Sequence, residues 1–254
     1  MKRRPTAVVT GAGARVGRAI ALELGRARFS VIVHHRGSHG GAAAVVAEIE
    51  AAGGEAVAIS ADLGTEEGCH GFVAAVKERF ERLHVLVNNA SIYGSVPFAE
   101  ITATQWEAMH AVNLRAPFLL SQGLLPLLEQ GSAADLGGPV GQGGLVVQMC
   151  DIGGERPQRG YAHYSTSKAG LVMLVKAMAV ELAPKVRTIG ISPGQILWPD
   201  DYDAALRERL AARIPMRRAD GVDDVARLVR FVATEAFYLN GDVIPVDGGL
   251  SVRY

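Results

Sequence analysis

Seven short runs of valine, isoleucine and other apolar residues recur along the chain, at residues 6–10, 31–35, 56–60, 85–88, 145–149, 186–191 and 243–246. Each is continuous rather than alternating, as expected of strands buried on both faces. Between them lie segments of helical periodicity, at 16–28, 42–52, 65–82, 104–129, 162–182 and 222–234. Strand then helix, repeated about six times, predicts an α/β fold: a doubly wound parallel sheet of about seven strands with helices on both faces and right-handed crossovers. Such a sheet binds ligands outside the carboxyl ends of its strands, where the strand order reverses. The 254 residues, 49% of them hydrophobic, suffice for one large core. No repeat and no linker divides the chain, so residues 1–254 are expected to form a single domain. The glycine-rich stretch 131–144 reads as a surface loop between a helix and a strand.

Charge and cysteine content narrow the function classes. Lysine plus arginine total 26 and aspartate plus glutamate total 26, so there is no basic surplus for a nucleic-acid partner. No apolar stretch approaches the ~20 residues of a membrane span. Cys69 and Cys150 are too few for a disulfide scaffold or a structural zinc site, and no metal centre is expected. The basic start Met1-Lys-Arg-Arg-Pro5 is not followed by the apolar core of a signal peptide, so a cytoplasmic address is expected.

The first strand runs into Thr10-Gly11-Ala12-Gly13-Ala14-Arg15-Val16-Gly17 and then directly into a helix. Glycines there let the backbone approach a pyrophosphate, and the helix N-terminus offers free N–H groups and positive dipole. The second strand ends in His34-His35-Arg36-Gly37-Ser38, with no acid to hold a ribose 2′-hydroxyl. Arg36 can pair with a 2′-phosphate and Ser38 can donate to it, which favours NADPH over NADH. Asp62, before Leu63 at the end of the third strand, can accept from an adenine amino group. The fourth strand ends in Asn88-Asn89-Ala90, short side chains suited to bridging loops toward the cofactor. The dinucleotide-binding set expected is Gly11, Arg15, Val16, Gly17, His35, Arg36, Ser38, Asp62, Leu63, Asn89, Ala90, Ser91, Lys168, Pro193 and Gly194.

Tyr164 and Lys168 stand four residues apart at the start of a predicted helix, on one face. An ammonium one turn away favours phenolate, so Lys168 is expected to lower the tyrosine pKa and make Tyr164 a usable proton donor.

Together, Thr10-Gly11…Gly17, Asn88-Asn89-Ala90, Tyr164…Lys168, Ser192-Pro193-Gly194 and Asp247-Gly248-Gly249 resemble the short-chain dehydrogenase/reductase family over essentially the whole chain. The resemblance implies a Rossmann fold and hydride transfer from NAD(P)H, with Tyr164 as proton donor and Lys168 on the nicotinamide ribose. It also implies Asn113 as the asparagine that positions a relay water, and a homotetramer with 104–129 and 162–182 as contact helices. In most members a serine stands 13 residues before the tyrosine and donates to the substrate oxygen; here that residue is Asp151.

An ionised carboxylate cannot donate to a carbonyl and repels a developing alkoxide. It does suit a ring-nitrogen substrate, accepting from N–H groups or relaying a proton to an imine nitrogen. Arg15 replaces the usual middle glycine of the first loop, and its guanidinium can reach phosphate and a heterocycle's acceptors. Both changes resemble the pteridine reductases of that family, as do the histidine-rich loop ending in serine and Asn88-Asn89-Ala90-Ser91-Ile92-Tyr93. By that resemblance Arg15, Ser91, Tyr93, Asp151 and Tyr164 line a pterin slot, Tyr93 stacking the substrate. Trp198 falls on a flap, about 194–215, over it, and Ser251–Tyr254 is similar to a tail that reaches a neighbouring subunit. The function expected is NADPH-dependent reduction of a C=N bond in a dihydropterin or dihydrofolate, with Asp151, Tyr164 and Lys168 as catalytic residues. Its alternatives are a generic carbonyl or 3-oxoacyl reductase, with Asp151 as a helix N-cap or partner of Lys168, and a non-catalytic NADP-sensing protein. Cys150 reads as core packing, and His163 as a bystander pointing away from Tyr164.

Overall fold

The computed structural model describes residues 4–198, 202–219 and 221–252. Seven parallel strands form one sheet: β1 (Thr6–Val9), β2 (Ser30–His35), β3 (Glu55–Ser60), β4 (Val85–Asn88), β5 (Leu145–Met149), β6 (Arg187–Pro193) and β7 (Val243–Val246), in the order β3-β2-β1-β4-β5-β6-β7. The order reverses between β1 and β4, so the loops after these two strands face one another across the crevice.

The helices are α1 (Arg15–Arg26), α2 (His39–Ala51), α3 (Glu66–Arg79), α4 (Ala103–His110), α5 (Ala116–Gln130), α6 (Ala162–Leu182), α7 (Ala204–Ala211) and α8 (Val222–Thr234). One face of the sheet packs Val9, Val33, Val87 and Val147 against Ile20 and Leu24 of α1 and Val229 of α8. The other packs Val8, Ile32, Leu86 and Val146 against Phe72 of α3 and Leu120 and Leu124 of α5. Consecutive residues of β1, β2, β4 and β5 thus enter opposite cores, which is why these strands read as unbroken apolar runs. The edge strands β3 and β7 depart from that expectation and are only partly buried, since each has a neighbour on one side alone.

Two helical readings are corrected. The segment 104–129 is not one helix: α4 ends at His110, Ala111–Arg115 forms a turn of π-helix, and α5 follows. Pro117 has no N–H for the ladder, and the wider turn carries Asn113 inward, where it is buried. Helix α7 was not anticipated; none of its residues enters the core, and Asp203 caps it by accepting from Leu206 N. The glycine-rich stretch connects α5 to β5 as expected, with a short 3₁₀ turn at Ala133–Leu136 closed by Ala133 N donating to the Gln142 carbonyl. Arg187, buried at the start of β6, donates to the carbonyls of Val232, Ala236 and Leu239 and so satisfies the C-terminal end of α8. Its desolvation lowers its pKa to about 10. No helix among the described residues is long and apolar enough to cross a membrane.

Candidate active site

Thr10 ties the two crevice loops together. Its hydroxyl accepts from the backbone N–H groups of Asn89 and Ala90 at 2.8 and 2.9 Å, and the Asn89 amide donates to the carbonyls of Thr10 and Gly11 at 2.8 and 3.3 Å. Gly11 turns at φ +63°, a left-handed conformation open to glycine. A Cβ at Gly17 would overlap the Gly11 carbonyl oxygen and the Asn89 amide. Arg15 opens α1 at φ +51°, a conformation that costs a non-glycine residue about 1 kcal/mol, with its side chain exposed. No side chain caps α1, and its first turn holds no acid, so its N–H groups are free for an anion.

His34 fixes this loop from β2. Gly11 N donates to its Nδ1 at 3.0 Å, and its Nε2 meets the Ala61 carbonyl at 3.1 Å, which sets the neutral tautomer with the proton on Nε2. Burial pushes its pKa down from 6.5 to about 4. The sign follows: above pH 6.5 both folded and unfolded forms are neutral and the contribution is complete. As pH falls from 6.5 through 4 the unfolded chain takes the proton first, and about 3 kcal/mol of stability is lost. Urea midpoints measured between pH 7.5 and 4 are expected to fall over that window, and His34→Gln is expected to flatten the slope. An equal slope in the variant would place the cost on other groups.

The residues expected at the adenine end follow β2 and β3. Asp62 lies exposed after β3, its Oδ1 accepting from Gly64 N, while Leu63 is buried beneath it. Arg36 and Ser38 are exposed beside the loop, and Gly13 approaches Ser38 so closely that an added Cβ would lie 3.1 Å from its hydroxyl. His35 is buried with Nδ1 unpartnered. At the far side Pro193 is buried at the end of β6, and Gly194 packs on Asp247 with its N–H on the Val246 carbonyl. Free helix N–H groups, a glycine cradle and an orphaned buried nitrogen fit a phosphorylated dinucleotide.

The chemical end forms where β5 meets α6. Asp151 follows β5 and uses its two carboxylate oxygens separately. Oδ1 accepts from Gly153 N at 2.6 Å, capping the short turn Ile152–Gly154, and Oδ2 accepts from the Tyr164 hydroxyl at 2.9 Å. The capping alternative is therefore real for one oxygen, while the other is committed to the tyrosine. Lys168 is fully enclosed, and its Nζ donates to the Met149 carbonyl at 2.8 Å and lies 5.8 Å from the Tyr164 ring centre.

This overturns the expected direction of the tyrosine pKa. Burial, with the Asp151 charge and hydrogen bond, drives the Tyr164 phenol well above its ordinary range. The ammonium group that was to lower it is itself pushed toward neutrality by burial. Helical spacing places the pair on one face, but desolvation and the carboxylate decide the proton's affinity.

Tyr93 reaches the same cluster from the loop after β4. Its ring stacks on Tyr161 (4.8 Å, 20°) and meets Tyr164 edge to face (4.8 Å, 88°). Tyr161, the residue before α6, was missed, although it stands three before Tyr164 and so on the same side of the helix. Ser91 donates to Asn113 Oδ1 at 3.0 Å, and Ile92 N donates to the same oxygen. Asn113 in turn donates to Ser167 Oγ, so the π turn pins the loop that carries Tyr93 against α6. Trp198 is half-buried and tilts against Tyr202, whose phenol acts electrostatically on Tyr93, so the flap reaches the cluster through a tyrosine the sequence did not single out. Residues 199–201 of the flap, and Arg253 and Tyr254 of the tail, lie outside the described residues. Cys150 is buried, which raises its thiol to about 12, in keeping with packing. His163 is buried too. No three histidine, cysteine, aspartate or glutamate side chains gather as metal ligands among the described residues.

The chain is similar to known proteins over nearly its whole length. The family model described as short chain dehydrogenase matches residues 5–206. A 3-oxoacyl-[acyl-carrier-protein] reductase of Synechocystis is 32% identical over 247 residues, 96% of each chain. The enzyme of that name from Staphylococcus aureus is 32% identical over 98% of this chain and 99% of its own. A Methylorubrum extorquens protein named only as an oxidoreductase is 33% identical over 96% of each. A crystal structure from Burkholderia xenovorans, titled as a short-chain dehydrogenase/reductase, covers the whole of both chains with a TM-score of 0.89 at 25% identity.

Proposed function

Because the chain belongs to the short-chain dehydrogenase family, we propose that it is an NADPH-dependent reductase of dihydropterins or dihydrofolate, acting at a ring C=N bond. The bond from Tyr164 to Asp151 carries the substrate class. A growing alkoxide needs donors, and a carboxylate one hydrogen bond from the proton donor opposes it. A ring-nitrogen substrate reverses the demand, since its N–H groups donate to Asp151 and its imine nitrogen accepts a proton.

Bound NADPH supplies the hydride. The chain's own groups do the rest. The N–H groups at the start of α1, with Gly17 and the Thr10–Asn89 bridge, would hold the pyrophosphate, and Arg36, Ser38 and His35 would hold the 2′-phosphate. Asp151 orients the ring and holds the Tyr164 hydroxyl, and Tyr164 or a water held by Asp151 protonates the nitrogen. Tyr93 remains 63% exposed, so a flat heterocycle can stack against it. Lys168, buried behind Tyr164, would hold the nicotinamide ribose.

The named relatives favour a second reading, reduction of the C=O group of a 3-oxoacyl chain, in which Asp151 is a cap and nothing more. Loss of NADPH absorbance with dihydrobiopterin, run beside an acetoacetyl ester, separates the two. Turnover of the pterin alone is expected; turnover of the ester alone would install the second reading.

Self-association belongs to the same proposal. A groove of about 630 Å³ runs across α4, α5 and α6, lined by Trp106, His110, Leu114, Phe118 and Met173. Trp106, Phe118 and Met173 are exposed, which supports burial of this face in a homotetramer. Cytoplasmic residence is part of the proposal too.

A further inference from the structure

Helix α2 begins in an arrangement that its fold does not require. Its N-cap, Ser38, makes no capping bond with its side chain, and no acid stands in the first turn. Gly37 and Gly40 face open space. The backbone N–H groups of such a start are unsatisfied and attract an anion. Directly beneath, at the end of β2, His35 is 6% exposed and its Nδ1 has no partner. An unpartnered buried imidazole nitrogen is costly and points to a ligand that completes it. Its ring meets the exposed His39, the first residue of α2, edge to face at 4.6 Å and 74°. Two imidazoles therefore meet at the start of α2.

We propose that the His35–His39 pair makes recognition of the cofactor's 2′-phosphate proton-linked, so that preference for NADPH over NADH strengthens as pH falls through neutrality. This rests on the NADPH reading above and adds His39 and a titration to it. Asp62 acts on His34, while the charged neighbour acting on His35 is His39. Arg36 lies exposed in the adjoining turn. Ser60 of β3, opposite His35 in the sheet, is occupied with the Arg36 carbonyl. In the free protein burial and the neighbouring imidazole hold His35 below its ordinary pKa, so it starts neutral near pH 7. A phosphate monoester brings nearly two negative charges at that pH, which favours imidazolium beside it. Binding then takes up a proton, and by linkage the affinity depends on pH.

The test is calorimetric titration of the full chain with NADP⁺ and with NAD⁺ from pH 6.5 to 8.5, in buffers of different ionisation enthalpy free of phosphate and sulfate. With NADP⁺, net uptake of roughly half a proton or more and about tenfold tighter binding at the low end are expected, as one linked imidazole gives. NAD⁺ is expected to show neither. His39→Gln, at an exposed position, is expected to lower the uptake and flatten the profile with the circular dichroism unchanged; His35→Gln should do so more fully. Tight NADP⁺ binding with no proton uptake overturns the proposal and leaves the cofactor reading intact. So does uptake that survives both substitutions. If NAD⁺ binds better than NADP⁺, or neither binds, the cofactor reading falls and this inference with it.

Discussion

Asp151→Ser is expected to lower kcat/KM for a dihydropterin about 10³-fold and to raise turnover of a 3-oxoacyl ester, reversing the substrate preference. Removing one charge-bearing contact made at the reacting centre costs about 10²–10³ in rate, or about 3–4 kcal/mol. The hydroxyl that replaces it donates where the carboxylate could only accept, which a carbonyl oxygen rewards. A second readout follows from Tyr164. The Asp151 charge and hydrogen bond both raise its pKa, so their removal should bring the basic limb of the pH–rate profile to lower pH. Asp151→Asn tests charge apart from shape: it keeps an acceptor oxygen but not the charge, and should lower pterin turnover. Unimpaired pterin turnover in Asp151→Ser would remove the aspartate from the chemistry and leave it as the cap of residues 152–154.

The layout of the fold was legible because it depends on period and order alone. Continuous apolar runs at β1, β4 and β5 follow from burial between two cores, and their alternation with helices dictates parallel pairing. The glycine turn after β1 was legible for a similar reason: Gly11 and Gly17 stand where the backbone must bend and where no side chain fits. What escaped is what long-range contact creates. Spacing put Tyr164 and Lys168 on one face, yet it could not show that the ammonium turns to the Met149 carbonyl while the phenol turns to Asp151. Tyr161 joins Tyr93 across 68 positions, and Tyr202 joins them from the flap, so no window of sequence contains the cluster. The π turn around Asn113 hid inside a helical pattern that one extra residue per turn barely disturbs. Its signal was Pro117, a residue without an N–H near the start of α5.

Gly17→Ala is expected to weaken NADPH binding by about 10³-fold or more, some 4 kcal/mol, although alanine is intrinsically the better helix residue by up to about 1 kcal/mol. The added methyl meets the Gly11 carbonyl oxygen and the Asn89 amide, neither of which can rotate away. Relief requires α1 to move back from the loop, and that separates its free N–H groups from the pyrophosphate they would hold. It also breaks the Asn89 bridge to Thr10 and Gly11, on which the spacing of the β1 and β4 loops depends. The same substitution two turns further along the helix is the control. At Gly25 a Cβ would meet only the Ile49 side chain, at 3.0–3.4 Å, where a shift of a few tenths of an ångström suffices, against 2.3 Å to a backbone oxygen at Gly17. Fluorescence titration with NADPH should therefore show less than a threefold change for Gly25→Ala. Equal affinities in the two variants would mean that the dinucleotide does not rest on the start of α1.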